Sequence, residues 1–332
     1  AARAINDDLS IESALPQLAA VLGEDRFTSE PLLRRAINAS LRVGGDKEMN
    51  LLIAFANRKD VPTELRAEAL ATLGTWTNPS PLDRVDGRYR GEIKRDAGPV
   101  IAKVKANMKN FLQEKDPVVL VAVAQMLGNL GISDYNSDLA HIFSSNANPD
   151  VRSAMLLALG QLNYKDMEPL VKKGMGDKDQ EFRTTAVGFI SDLDVSKEKL
   201  PSVINPIFKS GTTREQQEVL HVLGELPIEK STPVLEGLID QLAKGKLSPD
   251  IALDLMEAVN ATKSEALIAK LAPLERDGAT VDAYKETLYG GNGRKGWDYF
   301  MNNSAGQCAR CHSVNGQGGT VGPPLQHIGS VL

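Results

Sequence analysis

The residues best suited to chemistry lie near the C-terminus, in the run Cys308-Ala309-Arg310-Cys311-His312. Cys308 and Cys311 are the only two cysteines of the chain, so the sequence holds no disulfide framework. Two thiols three positions apart, followed at once by a histidine, are what a covalently attached c-type haem needs. The thiols add to its two vinyl groups, and the imidazole ligates the iron. The run therefore predicts haem c anchored by Cys308 and Cys311 and ligated by His312.

The residues on either side of this run suit the same site. Trp297, Tyr299 and Phe300 come before it and are expected to pack near the macrocycle or in an ordinary core. Residues 318–325 come after it and are expected to lie against the proximal side of the ring. There the carbonyl of Pro323 or Pro324 would accept a hydrogen bond from the second nitrogen of His312, fixing its orientation and basicity.

A zinc site built from Cys308, Cys311 and His312, with or without His327, is the other use of these ligands. The adjacent Cys311 and His312 are awkward as joint ligands of one tetrahedral ion, so haem is favoured. No sixth haem ligand is evident, because Met301 suits packing and His327 suits a surface loop. No nucleophile and base pairing or metalloprotease motif is found, so the sequence predicts no catalytic site.

Composition narrows the class of partner. The chain has 332 residues, with 38 Lys and Arg against 43 Asp and Glu, giving a net charge of -5. Because no basic cluster with interleaved aromatics occurs, nucleic acid is not expected as a partner. The longest apolar run, residues 118–127, is interrupted by Gln125 and is shorter than the roughly 20 residues that span a bilayer. No transmembrane segment is expected.

Repeated helices, which the sequence shows as recurring apolar stripes, are expected to position this site. Apolar residues recur at helical spacing in two similar segments, and Leu-Gly steps or their weaker copies recur about every thirty residues. The first stripe is Val119, Ala122, Val123, Met126, Leu127 and Leu130, and the second is Val151, Ala154, Met155, Ala158, Leu159 and Leu162. A period near thirty predicts a pair of short antiparallel helices per repeat.

Helix signals complete the repeat. First helices are predicted at residues 137–144, 167–175, 200–209 and 232–244. The Asp116-Pro117 and Pro149-Asp150 steps predict the N-caps of two second helices, and a glycine near each helix end allows close packing or termination. Aromatic residues make up only 5% of the chain and no strand pattern is convincing. We therefore predict an all-α, HEAT-like α-solenoid over residues 1–288.

One interval in the repeat is too long. The step from Gly74 to Gly128 is 54 residues, and its surplus begins in residues 78–91, which hold two prolines and two glycines. We call residues 78–91 the insertion loop. It is expected to be a docking or haem-facing element built on Arg84, Arg88, Tyr89 and Arg90, or else a solvated insertion.

A glycine-rich hinge at residues 290–293 separates the repeat region, 1–288, from a C-terminal segment, 289–332. Residues 296–329, with the haem-type run and Val321-Gly322-Pro323-Pro324-Leu325, resemble the first part of a class I cytochrome c domain. More specifically, they look like the haem-binding domain of large bacterial quinoprotein (glucose/sorbosone) dehydrogenase-like proteins. Residues 82–90 also look like the helical region of that family.

The resemblance implies an electron-transfer module that binds haem c through Cys308, Cys311 and His312, with Pro323, Pro324 and Leu325 beside the ring. It implies a periplasmic or otherwise exported protein whose partner is a redox protein or an N-terminal dehydrogenase domain. The chain would then be a fragment of a larger protein, with a truncated cytochrome c-type segment. The alternative is a protein-interaction scaffold of HEAT-like repeats whose haem segment is incomplete or unoccupied.

Overall fold

The computed structural model describes residues 1–274, 281–303, 305–314, 317–319, 321–326 and 328. Its described part is mostly helical, with two short strands, which confirms the all-α class and is consistent with a HEAT-like solenoid. The chain divides into two compact units, one formed by Ala1–Tyr164 with Arg294–Leu332 and the other by Lys165–Gly293. The C-terminal residues therefore pack into the same unit as the N-terminal half. The division into a repeat region, 1–288, and a haem-binding segment, 289–332, stays a prediction.

The first unit is built from helix pairs. The helices of its N-terminal part are α1 Ala2–Asp7, α2 Leu15–Ala20, α3 Glu30–Val43, α4 Asp46–Asn57, α5 Thr63–Gly74, α6 Gly98–Leu112, α7 Pro117–Leu130, α8 Asn136–Ser145 and α9 Pro149–Gln161, with 3-10 turns at Leu9–Ala14, Val21–Gly23 and Ser133–Tyr135. Helices α4, α6 and α8 pair with α5, α7 and α9 in turn. The second helices also pack on one another, α5 on α7 and α7 on α9. This layering is the one that the period near thirty predicts.

The second unit repeats the plan. Its helices are α10 Met167–Met175, α11 Gln180–Val187, α12 Leu200–Ser210, α13 Thr213–Glu225, α14 Ile228–Ala243, α15 Ala252–Ala261 and α16 Glu265–Leu271, with 3-10 turns at Ile190–Asp192, Pro249–Ile251, Ala272–Leu274 and Val281–Leu288. Helix α11 packs on α13 and α13 on α15, so the second helices again form a continuous layer. The predicted first helices at 167–175 and 200–209 are confirmed, and the one predicted at 232–244 begins earlier, at Ile228.

Both predicted apolar stripes are buried. Every member, from Val119 to Leu130 on α7 and from Val151 to Leu162 on α9, is at most 8% exposed. Burying each valine, leucine or methionine of the stripes contributes about 1.5–3 kcal/mol before chain entropy is subtracted. The stripes therefore lie in the packed interior of the first unit.

The helix caps agree with the sequence except at one position. The Asp116 side chain accepts a hydrogen bond from the Val118 N–H at 2.9 Å, as predicted. At α9 the cap is Asn148 and not Asp150, since Asn148 accepts from the Asp150 N–H at 2.8 Å. The reason is that Pro149 takes the first helical position, so the capping residue must precede it. Thr212 and Glu215 form a reciprocal capping box on α13.

The glycines near the ends of the second helices serve close packing. A Cβ on Gly74 would lie 2.9 Å from the Cα of Met126, and one on Gly224 would lie 3.1 Å from the Cα of Ala258. Gly128 packs in the same way against Ala158, at 3.4 Å from its Cα. Backbone therefore approaches backbone where α5 meets α7, α7 meets α9 and α13 meets α15. The sequence left close packing and helix termination open for these glycines, and the structure shows close packing.

One carboxylate joins three parts of the first unit. Glu114, which follows α6, pairs with Arg66 of α5 and with Lys59. It also accepts from the backbone N–H groups of Lys115 at 2.8 Å and Asp116 at 3.2 Å. Burial by itself would raise the pKa of Glu114, but these hydrogen bonds outweigh it and lower the pKa to about 2.

The C-terminal segment begins at the predicted hinge. The buried Gln217 side chain of α13 donates a hydrogen bond to the carbonyl of Gly290, so this part of the hinge is fastened to a helix. The chain continues through α17 Gly293–Asn302, α18 Cys308–Cys311, β1 Ser313–Val314 and β2 Gln317–Gly318. The two short strands pair antiparallel, with Ser313 opposite Gly318. Among the described residues, no helix is both long and apolar enough to span a bilayer.

Candidate functional site

The Cys308–Cys311 run forms a single helical turn, α18. The Arg310 N–H donates to the Gln307 carbonyl at 2.9 Å, and the His312 N–H donates to the Cys308 carbonyl at 3.0 Å. Residues three apart on a helix lie on one side, so the two thiols share a face of the turn. Both cysteines are free, with Cys308 half-buried and Cys311 exposed. The turn thus presents two reduced thiols beside one imidazole.

The imidazole of His312 is oriented by a backbone carbonyl. Its Nδ1 lies 2.9 Å from the carbonyl oxygen of Pro323. Because a carbonyl oxygen only accepts, this bond requires the proton on Nδ1 and leaves the lone pair of Nε2 free when the ring is neutral. The hydrogen bond predicted for Pro323 or Pro324 is therefore formed by Pro323. Nε2 is the atom available to a metal.

The segment after the turn is held against it by backbone hydrogen bonds. The Gly319 N–H donates to the Ala309 carbonyl at 2.7 Å, and the Gly322 N–H donates to the Cys311 carbonyl at 2.6 Å. Further on, the Leu325 N–H donates to the Ser313 carbonyl at 2.8 Å. These bonds carry residues 321–325 across the turn. That residues 318–325 lie against the proximal side of a haem stays a prediction.

Gly322 lies directly against the imidazole. A Cβ at this position would be 2.8 Å from both Cε1 and Nδ1 of His312 and 3.1 Å from the Cys311 carbonyl oxygen. Only a residue without a side chain permits this approach, so Gly322 lets the following carbonyl of Pro323 reach Nδ1. Sequence reasoning did not single out Gly322.

The insertion loop also reaches this turn. Within the loop, Leu82 and Tyr89 form an antiparallel bridge, and the Asp83 N–H donates to the Arg88 carbonyl at 2.8 Å. The resulting hairpin puts Gly87 at its tip, buried and at a φ of +69°. A Cβ on Gly87 would overlap the carbonyl of Ala309, so the two backbones are in contact.

A buried ionic network fixes the hairpin to α1 and α3. The Asp83 carboxylate, whose side chain is 0% exposed, accepts from Asn38 Nδ2 at 2.8 Å and from Arg90 Nε at 3.0 Å. Arg90 also donates to the Asn6 carbonyl at 2.9 Å and to Asp86 at 2.6 Å. Burial, and then the nearby Asp83 carboxylate, raise the pKa of Asp86. The loop is therefore anchored and not a solvated insertion.

The four loop residues named from the sequence have different roles. Arg84 is half-buried beside Glu68, which pairs with Arg34. Desolvation lowers the pKa of Arg84 and raises that of Glu68. Arg90 belongs to the anchoring network, and Tyr89 is 53% exposed. Arg88 alone of the four lines the open cleft beside the turn. The haem-facing role of the loop stays a prediction.

The cleft has a volume of about 660 Å³. Its walls are Arg88, Ala305, Gly306, Gln307, Arg310, Cys311 and Val321. A volume of this size falls within the range of roughly 300–1,000 Å³ found for small-molecule and cofactor sites. Two cationic side chains at its edge, Arg88 and Arg310, favour a ligand that carries negative charge.

The remaining candidates contribute less. On α17, Trp297 stacks on Phe300 with ring centroids 6.4 Å apart, while Tyr299 is 56% exposed. His327 lies outside the described residues. Within the described ranges, no group of three or more His, Cys, Asp and Glu side chains is arranged to hold a metal ion.

Fold and site together define an all-α chain of helix-pair repeats that carries a cysteine and histidine turn at its C-terminal end. Comparison with known protein families matches residues 136–223 to HEAT repeats. The match covers α8 to most of α13 and supports a HEAT-like helical region. No curated protein matches the chain.

Proposed function

We propose that this protein binds haem c through Cys308 and Cys311, ligates its iron through Nε2 of His312, and acts as an electron-transfer module on a helical-repeat scaffold. The observation that carries the proposal is the Nδ1 to Pro323 hydrogen bond of 2.9 Å. It selects the tautomer whose Nε2 is free, and it does so directly beside two reduced thiols.

The two thiols and the imidazole suit haem c. Each S–H bond would add across one vinyl C=C bond, the sulfur bonding to one carbon and the proton going to the other. No atom leaves and no oxidant is needed, so the protein gains the mass of a whole haem. Gly322 leaves no side chain between residues 321–325 and the His312 imidazole, which suits a close contact with the ligand of the iron. When bound, haem supplies a one-electron couple, and the chain supplies its anchors, one ligand and its surroundings.

The wider setting follows from the resemblance. Haem attachment of this type takes place outside the cytoplasm, so the proposal includes a periplasmic or otherwise exported location. It also includes electron exchange with a redox partner protein or with a quinoprotein-dehydrogenase-like domain of a longer protein. In that assembly the helical repeats would carry the haem segment.

The test is expression together with a haem-attachment system. We expect a Soret band that stays with the polypeptide after denaturation and a mass increase of one haem. C308A/C311A should lose the covalent haem, and H312A should change the spectrum, whereas the matched control H221A, at an exposed histidine of α13, should not. The absence of both a Soret band and an added mass in the unaltered protein would refute the proposal.

A protein-interaction scaffold is the second candidate, because HEAT repeats are matched over residues 136–223 and such repeats commonly present extended binding surfaces. This role predicts a partner that binds the full chain equally well with or without C308A/C311A. Pull-down with both proteins distinguishes the candidates, since a partner recognising the haem segment should lose affinity for the doubly substituted chain.

A further inference from the structure

The insertion loop contacts the thiol-bearing turn through backbone atoms. Gly87 lies against the carbonyl of Ala309, which sits between the two cysteines. On the other side of this contact, a Cβ on Gly319 would lie 3.0 Å from the carbonyl oxygen of Asp86. The loop therefore touches both the turn and the segment that is hydrogen-bonded to it.

The turn needs such support. A helix of four residues is far too short to be stable alone in water, because nucleation costs more than its few hydrogen bonds return. It is also entered through Gln307 at a φ of +46°, a left-handed conformation that residues other than glycine rarely adopt. Tertiary contacts must therefore maintain the turn.

The loop is rigid enough to provide them. The Asp83 carboxylate, in addition to its bonds to Asn38 and Arg90, accepts from the Val85 N–H at 2.8 Å inside the hairpin. The Gly87 N–H donates to the Asp83 carbonyl at 2.8 Å. The same residue thus ties the loop to α3 and ties the tip to the loop.

We propose that the insertion loop is a positioning element of the repeat scaffold, which holds the Cys308–Cys311 turn against the N-terminal half of the chain and forms one wall of the adjoining cleft through Arg88. The role of the loop in shielding a bound group rests on the proposed haem binding, whereas its role in holding the backbone of the turn does not. The loop fixes the backbone of the turn and limits how much solvent reaches a group bound there. The insertion loop and the Cys308–Cys311 turn then act together.

The chain offers a matched pair of substitutions. Gly87 and Gly91 both have positive φ, +69° and +88°, so alanine strains the backbone at either one. At Gly87 the new Cβ would overlap Ala309, whereas at Gly91 nothing lies within 4 Å. A difference between G87A and G91A therefore reports the contact with the turn and not the strain in the loop.

The first measurement is hydrogen exchange of the haem-free chain. We expect the His312, Gly319 and Gly322 amides to exchange about tenfold or more faster in G87A than in G91A, while those of α5 and α7 keep their protection. Equal exchange in the two variants would overturn the proposal. If α5 and α7 lose protection in G87A, the substitution has disturbed the wider fold, and D83N is compared with G91A instead. Faster exchange of the same three amides in D83N than in G91A then supports the proposal, and equal exchange overturns it.

The second measurement uses haem-loaded protein. We expect G87A and G91A to attach haem equally, because attachment needs only the two thiols, but the midpoint potential of G87A to be lower. Greater solvent exposure of the group favours its more highly charged oxidised form. Equal potentials would show that the loop does not set the environment of the site. Absence of haem from every chain would refute the proposed function, while the exchange result would still decide the positioning role.

Discussion

Substitution of Gly322 by alanine tests the orientation of His312. The new Cβ would lie 2.8 Å from Cε1 and Nδ1 of the ring, whereas ordinary contact begins near 3.4 Å, so the ring must move by about 0.6 Å. Movement away from the carbonyl would lengthen the 2.9 Å bond to Pro323 to roughly 3.5 Å, which is too long for a hydrogen bond. Gly322 has no left-handed φ, so alanine adds no backbone strain.

The magnitude follows from the value of one hydrogen bond. A net contribution of about 0.5–1.5 kcal/mol corresponds to a roughly two- to tenfold change in the ratio of the two neutral tautomers. Nitrogen-15 NMR of the haem-free protein, with labelled histidine and with the ring uncharged, measures that ratio. The Nδ1–H tautomer should dominate in the unaltered protein and decline in G322A.

The control is G296A on α17, where a Cβ would meet nothing within 4 Å. Its His312 tautomers should match those of the unaltered protein. In haem-loaded G322A the midpoint potential should rise, because a ligand that loses its hydrogen bond to a carbonyl is less basic and stabilises the oxidised iron less. An unchanged Nδ1–H population in G322A would refute the claim that Gly322 makes room for the His312 to Pro323 bond.

Three further predictions concern the scaffold. Because the pKa of Glu114 is lowered to about 2, its stabilisation is present above its ordinary value of 4.5 and is lost as the pH falls through 2. E114Q should therefore cost about 2–3 kcal/mol in urea unfolding at pH 7 and almost nothing near pH 2, and a pH-independent cost would contradict this. G74A should destabilise the first unit by about 1–3 kcal/mol in thermal unfolding. The control G237A, in open space on α14, should be neutral or stabilising. Equal effects of the two substitutions would show that close packing at Gly74 is unimportant. T212A should cost about 1 kcal/mol by removing the capping box of α13, and unchanged stability would contradict that.

Much of the repeat could be predicted because its signals are local. The stripes on α7 and α9 recur at helical spacing, so membership of one face follows from position alone. Cap positions are also local, and the error at α9 came from reading Pro149-Asp150 without Asn148 before it. The insertion loop was recognised as irregular, but its anchoring was not predicted. Asn38 and Asp83, which hold it, are 45 positions apart and follow no pattern.

The sequence by itself determined that two thiols and an imidazole lie within five consecutive residues, whatever the surrounding fold. It also indicated that a proline carbonyl after the turn would face His312. Only the tertiary structure decided that Pro323 supplies this carbonyl, that Gly322 makes room for it and that Gly87 contacts Ala309. The physical reason is that spacing fixes neighbours within a turn, whereas contacts between distant segments depend on how the whole unit packs.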